Sequence, residues 1–293
     1  MKATVKAYGK INLFLDVLNK RNDGYHDVKM IMQSVRLHDI IEISQAKKNN
    51  VKTDSVFVPN NKNNLAMKAA ILMQEKYCVP AVSINIRKNI PVSAGMAGGS
   101  TDAAAVLLGI DRLFNLNCSK NDLEIIAAQI GSDVPFCLSV GTAVATGRGE
   151  QITPVKDLNP CHIILIKAPF GLSTATVYQN IKVDEIQPRD EAFRLFLDAL
   201  EKENTEYILN NLYNALEPVS MRIDDRIKHM KEKIRHAGIN NILMSGSGPT
   251  LFGMYDSQKE AWPNFKLIKQ LFPNVYLTST CTSDLINSRI EIH

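Results

Sequence analysis

Charge is missing from three long stretches of this chain. Residues 89–101, 134–147 and 237–255 contain no Asp, Glu, Lys or Arg. None is expected to span a membrane, because each mixes in Gly, Ser, Thr, Asn or Pro, and a helix in lipid wants about 20 mostly apolar residues. Cysteine is scarce. Cys78, Cys118, Cys137, Cys161 and Cys281 are odd in number, widely spaced and form no C-x-x-C. This excludes a disulfide framework and predicts reduced thiols in a cytoplasmic protein. The histidines form no H-E-x-x-H, which argues against zinc. The opening residues have no apolar core of a signal peptide. Basic residues exceed acidic ones by 34 to 30. That suits a protein that handles anions and is too little for nucleic acid, so neither nucleic acid nor membrane is expected as a partner.

What remains is an ordinary globular balance, 45% apolar and 22% charged over 293 residues. Disorder, collagen and coiled coil are excluded, and the length fits two domains or one large one. Strand patterns cover 4–8 and 11–18, parted at Gly9, then 28–37 and 40–44. An Asn- and Lys-rich excursion at 46–63 leads to a helix over 65–77, capped by Asn64. A strand at 82–86 precedes a glycine-rich loop and helices at 103–114 and 121–130. Later come a strand at 163–166, helices at 191–201, 206–215 and 223–236, strands at 242–244 and 251–255, a helix near 260–271 and a strand at 275–280. Strands and helices mix without regular alternation, so the expected class is α+β.

The loop from Pro91 to Asp102 holds Gly95, Gly98 and Gly99 and runs into an alanine-rich helix. Ser100, Thr101 and Asp102 are good N-cap types. Free N–H groups and the positive end of the helix dipole make such a loop an anion site, best suited to phosphate. The alternative is a tight strand-to-helix connection with no ligand. There is no Walker A lysine, no dinucleotide fingerprint, and no H-R-D or D-F-G. A second small-residue segment, Ser245-Gly246-Ser247-Gly248-Pro249, joins two strands. Alone it is better explained as a hairpin bend, and it matters only if folding brings it beside the first. Asp133 follows a helix stop at Gly131 and precedes Val134-Pro135; an N-cap or Asx-turn carboxylate is the commoner fate there. Lys10 and Asn12 share one strand face, which is usually just wet. Tyr25 and His26 sit at a turn, where such a pair can stack on and hydrogen-bond a base.

In this order, Lys10-Ile11-Asn12, Gly24-Tyr25-His26, Asn64-Leu65-Ala66, the Pro91–Ala105 loop, Ser132-Asp133-Val134-Pro135, the 145–150 segment, Ser173-Thr174 with Tyr178, and the 244–250 segment resemble the GHMP kinase superfamily from about residue 6 to 280. The resemblance implies two α+β lobes with an active site in the cleft between them. It places an ATP-binding lobe at about 1–150 and a substrate lobe at 151–293, a soft boundary because the last strand can return to the first lobe. It implies ATP with Mg2+. Asp133 resembles the general base and Lys10 the lysine beside it. Pro91, Ser93, Ala94, Gly95, Met96, Ala97, Gly98, Gly99, Ser100 and Thr101 resemble the phosphate-binding loop, with the Ser100 and Thr101 hydroxyls near phosphate or metal. Asn64 and Lys88 match positions at the adenosine end.

Gly24-Tyr25-His26 and the Ser173…Tyr178 segment are similar to one branch, which phosphorylates the 2-hydroxyl of a cytidine-diphosphate-linked sugar alcohol on the non-mevalonate route to isoprenoids. In that branch Tyr25 and Tyr178 would sandwich cytosine and His26 would read its edge. Asn12, Thr174 and Lys10 would face the sugar alcohol and its diphosphate. Tyr8-Gly9, Thr101 and Ala168 depart mildly from the common pattern and remove no chemical group. Kinases of the mevalonate, phosphomevalonate or homoserine type share the loop but have no use for a cytosine clamp. A non-catalytic nucleotide-binding module is the other alternative, and it would have no need of the Lys10–Asp133 pair.

Overall fold

A computed structural model describes residues 1–286 and 288–293. In chain order the strands are β1 Lys2–Lys20, β2 His26–Gln45, β3 Asn50–Thr53, β4 Val82–Arg87, β5 Thr142–Thr146, β6 Gln151–Pro154, β7 His162–Ile166, β8 Tyr213–Asn214, β9 Ile242–Met244, β10 Leu251–Tyr255, β11 Val275–Ser279 and β12 Ile290–Ile292. The helices are α1 Leu65–Tyr77, α2 Gly98–Leu113, α3 Lys120–Ile130, α4 Val134–Cys137, α5 Thr174–Gln179, α6 Asp190–Glu201, α7 Thr205–Asn210, α8 Leu216–Ile223, α9 Asp225–His236 and α10 Gln258–Leu271.

The first sheet runs β12-β1-β2-β4-β3, with β5 on β2, β6 on β5 and β8 on β1. The second is β11-β7-β10-β9, antiparallel throughout. Two sheets with helices against each give the α+β class expected. Sheet membership crosses residue 150: β6, β8 and β12 all join the first sheet.

The pairs of short strands expected on either side of Gly9 and near residue 38 are each one long strand. β1 and β2 form a twisted hairpin whose register slips between Tyr8 and Lys10, between Asn12 and Phe14, and between Val17 and Asn19. Glycine in a strand interior marks a bulge more often than an end, and Gly9 lies in the first slip. Two slips bracket Lys10–Asn12 and re-aim those side chains. The helix expected over 206–215 breaks instead at Asn211. Asn214 leaves the helical path because its amide donates to the carbonyls of Met244 and Gly246 at 2.7 and 2.8 Å, while its oxygen accepts from Leu216 N–H at 2.9 Å.

The core between the sheets explains why 89–101 lacks charge. Ile90, Ala94 and Met96 are buried in one cluster with Ile11, Leu13 and Phe14 of β1 and Leu165 and Phe252 of the second sheet. A charge here would be desolvated with no partner.

Candidate active site

The two small-residue loops meet. Gly95 sits at φ +70°, and a Cβ there would lie 2.3 Å from the Ser245 carbonyl oxygen and 3.1–3.2 Å from the backbone of Gly248. Only glycine allows that approach. The Ser245 hydroxyl donates to the Gly95 carbonyl at 3.1 Å, and Lys10 N–H donates to the Met96 carbonyl at 3.2 Å. The second loop, held by Asn214, is therefore more than a hairpin bend.

Helix α2 begins five residues earlier than expected. Ser100, Thr101 and Asp102 do not cap it. Ala97 does so from a left-handed conformation at φ 57°, with no side-chain cap bond. The first helical bond runs from Thr101 N–H to Ala97 C=O at 2.8 Å. The N–H groups of Gly98, Gly99 and Ser100 thus have no partner within the helix and stand at the positive end of its dipole. Pro91, Ser93, Ala94, Ala97 and Ser100 join these glycines in lining the cleft or the hollow beside it. Met96 and Thr101 do not. Met96 is core, and Thr101 is buried with its hydroxyl donating to the Tyr8 carbonyl at 2.7 Å.

A hollow of about 260 Å³ adjoins a cleft of about 740 Å³, and both share Leu65, Ser93, Gly98 and Gly99. Asn64 and Lys88 line the smaller space, but their polar groups are already engaged. Asn64 caps α1 through Ala66 N–H at 2.9 Å and donates to the Pro59 carbonyl at 2.8 Å. Lys88 is buried between Asp39 and Asp102, with its ammonium 2.7 Å from the latter. Burial works against the Lys88 charge, yet Asp102 and Asp39 outweigh it and hold the amine above its ordinary range. Lys88 is thus not a free cation for a nucleotide. Asp102 is pushed up to about 8, chiefly by burial, with Lys88 pulling the other way and Asp39 adding to the rise.

Lys10 is buried; its ammonium donates to Asn12 Oδ1 at 2.8 Å and lies 3.7 Å from Asp133 Oδ2. Asn12 is 0% exposed and gives its N–H to the Met30 sulfur at 3.3 Å, so it orients Lys10 and is not part of the cleft wall. Asp133 stands just before α4 and makes no side-chain cap bond, against the commoner expectation for its sequence setting. Its carboxylate, 36% exposed, opens on the cleft. Arg289 fixes the far end of α4. It is buried without a carboxylate partner among the described residues and donates to the Leu138 and Cys137 carbonyls at 2.6 and 3.2 Å. Burial lowers it to about 10.

The opposite wall holds Tyr25, His26, Tyr178 and Thr174. His26 and Tyr178 lie with ring centroids 5.6 Å apart and planes tilted by 35°. Both ring nitrogens of the buried His26 lack a partner among the described residues. Burial, then the charge of Lys20, lowers its pKa, which favours the neutral imidazole. Burial and the nearby Asp133 charge raise the Tyr178 phenol. Thr174 shares a 2.8 Å hydrogen bond with Ser247 of the second loop.

Residues 64–141 match the GHMP kinases N terminal domain, and residues 196–261 match GHMP kinases C terminal. A 4-diphosphocytidyl-2-C-methyl-D-erythritol kinase of Clostridium perfringens is 41% identical over 285 residues, spanning 96% of this chain and 99% of the relative. One from Clostridium botulinum is 42% identical over 277 residues, spanning 94% and 99%. The chain belongs to the 4-diphosphocytidyl-2-C-methyl-D-erythritol kinase family of GHMP kinases. A crystal structure of a 4-(cytidine 5'-diphospho)-2C-methyl-D-erythritol kinase superposes with TM-score 0.78 at 28% identity, over 94% of this chain and 98% of that one. The L. major mevalonate kinase shares the fold, with TM-score 0.74 at 16% identity over 96% of each chain.

Asn214, Ser247 and Arg148 of this kinase have no individual role in the sequence pattern, although Ser247 and Arg148 line the cleft. Gly147 and Gly149 flanking Arg148 were the available signal.

Gly95→Ala should lower stability by roughly 1–3 kcal/mol through forced backbone strain and weaken nucleotide binding. Denaturant unfolding with a nucleotide titration checks this, and an unaffected variant would show that the loops part freely. The proton on Asp102 favours the folded state. Its contribution is complete below about pH 4 and is lost as pH rises through about 8. Unfolding free energy should fall across that window, and Asp102→Asn, which cannot titrate, should flatten the fall. An unchanged slope in the variant would contradict the buried triad as described.

Proposed function

We propose that this chain transfers the γ-phosphoryl group of ATP to the 2-hydroxyl of 4-diphosphocytidyl-2-C-methyl-D-erythritol, a step of the non-mevalonate route to isoprenoids. The observation that carries the acceptor assignment is His26: a buried imidazole, shifted toward its neutral form, in the cleft wall beside Tyr178, with neither ring nitrogen partnered among the described residues. A neutral imidazole offers one donor and one acceptor, which suits the polar edge of cytosine. Tyr25 and Tyr178 supply the stacking faces. Thr174 lies toward the sugar alcohol.

The phosphates of ATP lie against the amides of Gly98, Gly99 and Ser100, and the hollow past Ser93 takes the adenosine. Asp133 accepts the proton of the 2-hydroxyl and the hydroxyl oxygen forms the new O–P bond; the bond from the γ-phosphorus to its bridging oxygen breaks and ADP leaves. Lys10, aimed by Asn12, stands beside Asp133 and offsets negative charge there. Magnesium suits this cleft only as an ion carried by the nucleotide. No described cluster of three His, Cys, Asp or Glu could hold a metal, and Mg2+ takes one or two protein ligands with phosphate and water. Ser100 is the protein hydroxyl nearest that role, and the bound ion would neutralise phosphate charge.

Residues 1–150 form the ATP lobe and 151–293 the substrate lobe, apart from the three strands that return to the first sheet. No described helix is long and apolar enough to cross a membrane. The five free cysteines support a cytoplasmic location. Burial raises four of them: Cys137 and Cys281 to about 12, Cys161 to about 11, and Cys118 also upward, which keeps these thiols protonated. The partners are ATP and one small-molecule acceptor, with no nucleic acid.

Asp133→Asn should keep ATP affinity and lower turnover by at least about 10²-fold. Coupled ADP release with the cytidyl acceptor, mevalonate, phosphomevalonate and homoserine measures both points. Near-normal turnover of the variant would make Asp133 structural, and turnover of another acceptor alone would move the chain to a different branch.

A further inference from the structure

We propose that Arg148 binds the diphosphate of the acceptor and sets this kinase's preference for a nucleoside-diphosphate-linked substrate. The proposal rests on the reading of the acceptor wall given above. Arg148 lies in the turn between β5 and β6, flanked by Gly147 at φ +67° and Gly149 at φ +104°. The turn is pressed against its neighbours: a Cβ on Gly149 would lie 2.8 Å from the Met30 methyl carbon and 4.0 Å from Ser132 Cβ. Arg148 therefore emerges between Ser132-Asp133 on one side and Tyr25 on the other, which is where a linker between base and sugar alcohol must pass.

Its side chain is aimed from two directions. The guanidinium carbon lies 5.1 Å from the Tyr25 ring centroid. Glu150 folds back on the turn, accepting from the Arg148 N–H at 2.7 Å and standing 3.6 Å from its Nε. Those contacts leave both terminal amino groups of the fork without a hydrogen-bond partner among the described residues. A planar fork with free donors suits a phosphate pair better than an ammonium does.

Charge singles out the same residue. Lys10 and Arg148 are the lysine and arginine side chains in the cleft wall. Lys10 is held by Asn12 and Asp133. Asp23 and Asp133 also face the cleft and would repel a diphosphate. An acceptor with two charged phosphates needs a cation between them, and Arg148 supplies it.

The test is calorimetric titration of the full chain with cytidine, CDP and uridine. The wild type should bind CDP at least about tenfold more tightly than cytidine, as expected for charge-assisted hydrogen bonds. Arg148→Met should bring that ratio to within about threefold while keeping the preference for cytidine over uridine. Arg148→Lys, which keeps charge and stem but loses the fork, should fall between, and it decides the matter if the methionine variant does not fold. A full CDP preference in either variant overturns the role of Arg148 and leaves the cytosine reading standing. A wild type that does not distinguish cytidine from uridine overturns that reading, and this proposal with it.

Discussion

The cleft depends on one backbone crossing, that of Gly95 over the Ser245–Gly248 turn. A loop of the first lobe and a loop of the second approach so closely there that a single added carbon would overlap a carbonyl oxygen. Around this point Ala94 and Met96 are sunk in a shared core, Asn214 holds the second loop from behind, and Lys10 ties β1 to the first. The open amides of α2, the Lys10–Asp133 pair and the Thr174–Ser247 bond are therefore referenced to one rigid frame. Phosphoryl transfer is mostly positioning and charge neutralisation, so in the proposed reaction this frame counts for as much as the Asp133 carboxylate.

The same frame explains a small surplus of positive charge in a protein that handles a triphosphate and a diphosphate. At the glycine-rich loop the cleft is offered backbone N–H groups rather than side-chain cations. Two cations are structural: Lys88 sits between the buried Asp39 and Asp102, and Arg289 is buried on the carbonyls that end α4. The charge-free stretches follow from this. One is the glycine-rich loop with its apolar anchors, one begins immediately after Asp133, and one carries the turn that Gly95 crosses.

Much of this was legible in sequence. The α+β class, the glycine loop, the shared face of Lys10 and Asn12 and the Tyr25–His26 turn all follow from local pattern. What was not legible depends on contacts distant in sequence. The capping types at Ser100–Asp102 masked a left-handed cap at Ala97, which an alanine adopts only because its neighbours hold it there. The resemblance puts Lys88 at the adenosine end, and nothing beside it in sequence shows that Asp39, far back in the chain, and Asp102 engage its ammonium. Asn12 and Thr101 carry suitable polar groups, but bulges and burial turn them inward. Gly9 looked like a strand end, whereas the partner strand continues past it.

The central claim is that this cleft joins a backbone phosphate cradle to a cytosine-reading wall and phosphorylates one hydroxyl between them. Phosphorus NMR of the product formed from ATP and 4-diphosphocytidyl-2-C-methyl-D-erythritol tests it most directly. The account predicts ADP and a new phosphomonoester on the 2-hydroxyl, with the diphosphate signals of the acceptor retained. No new phosphomonoester, or one at another hydroxyl, would contradict it.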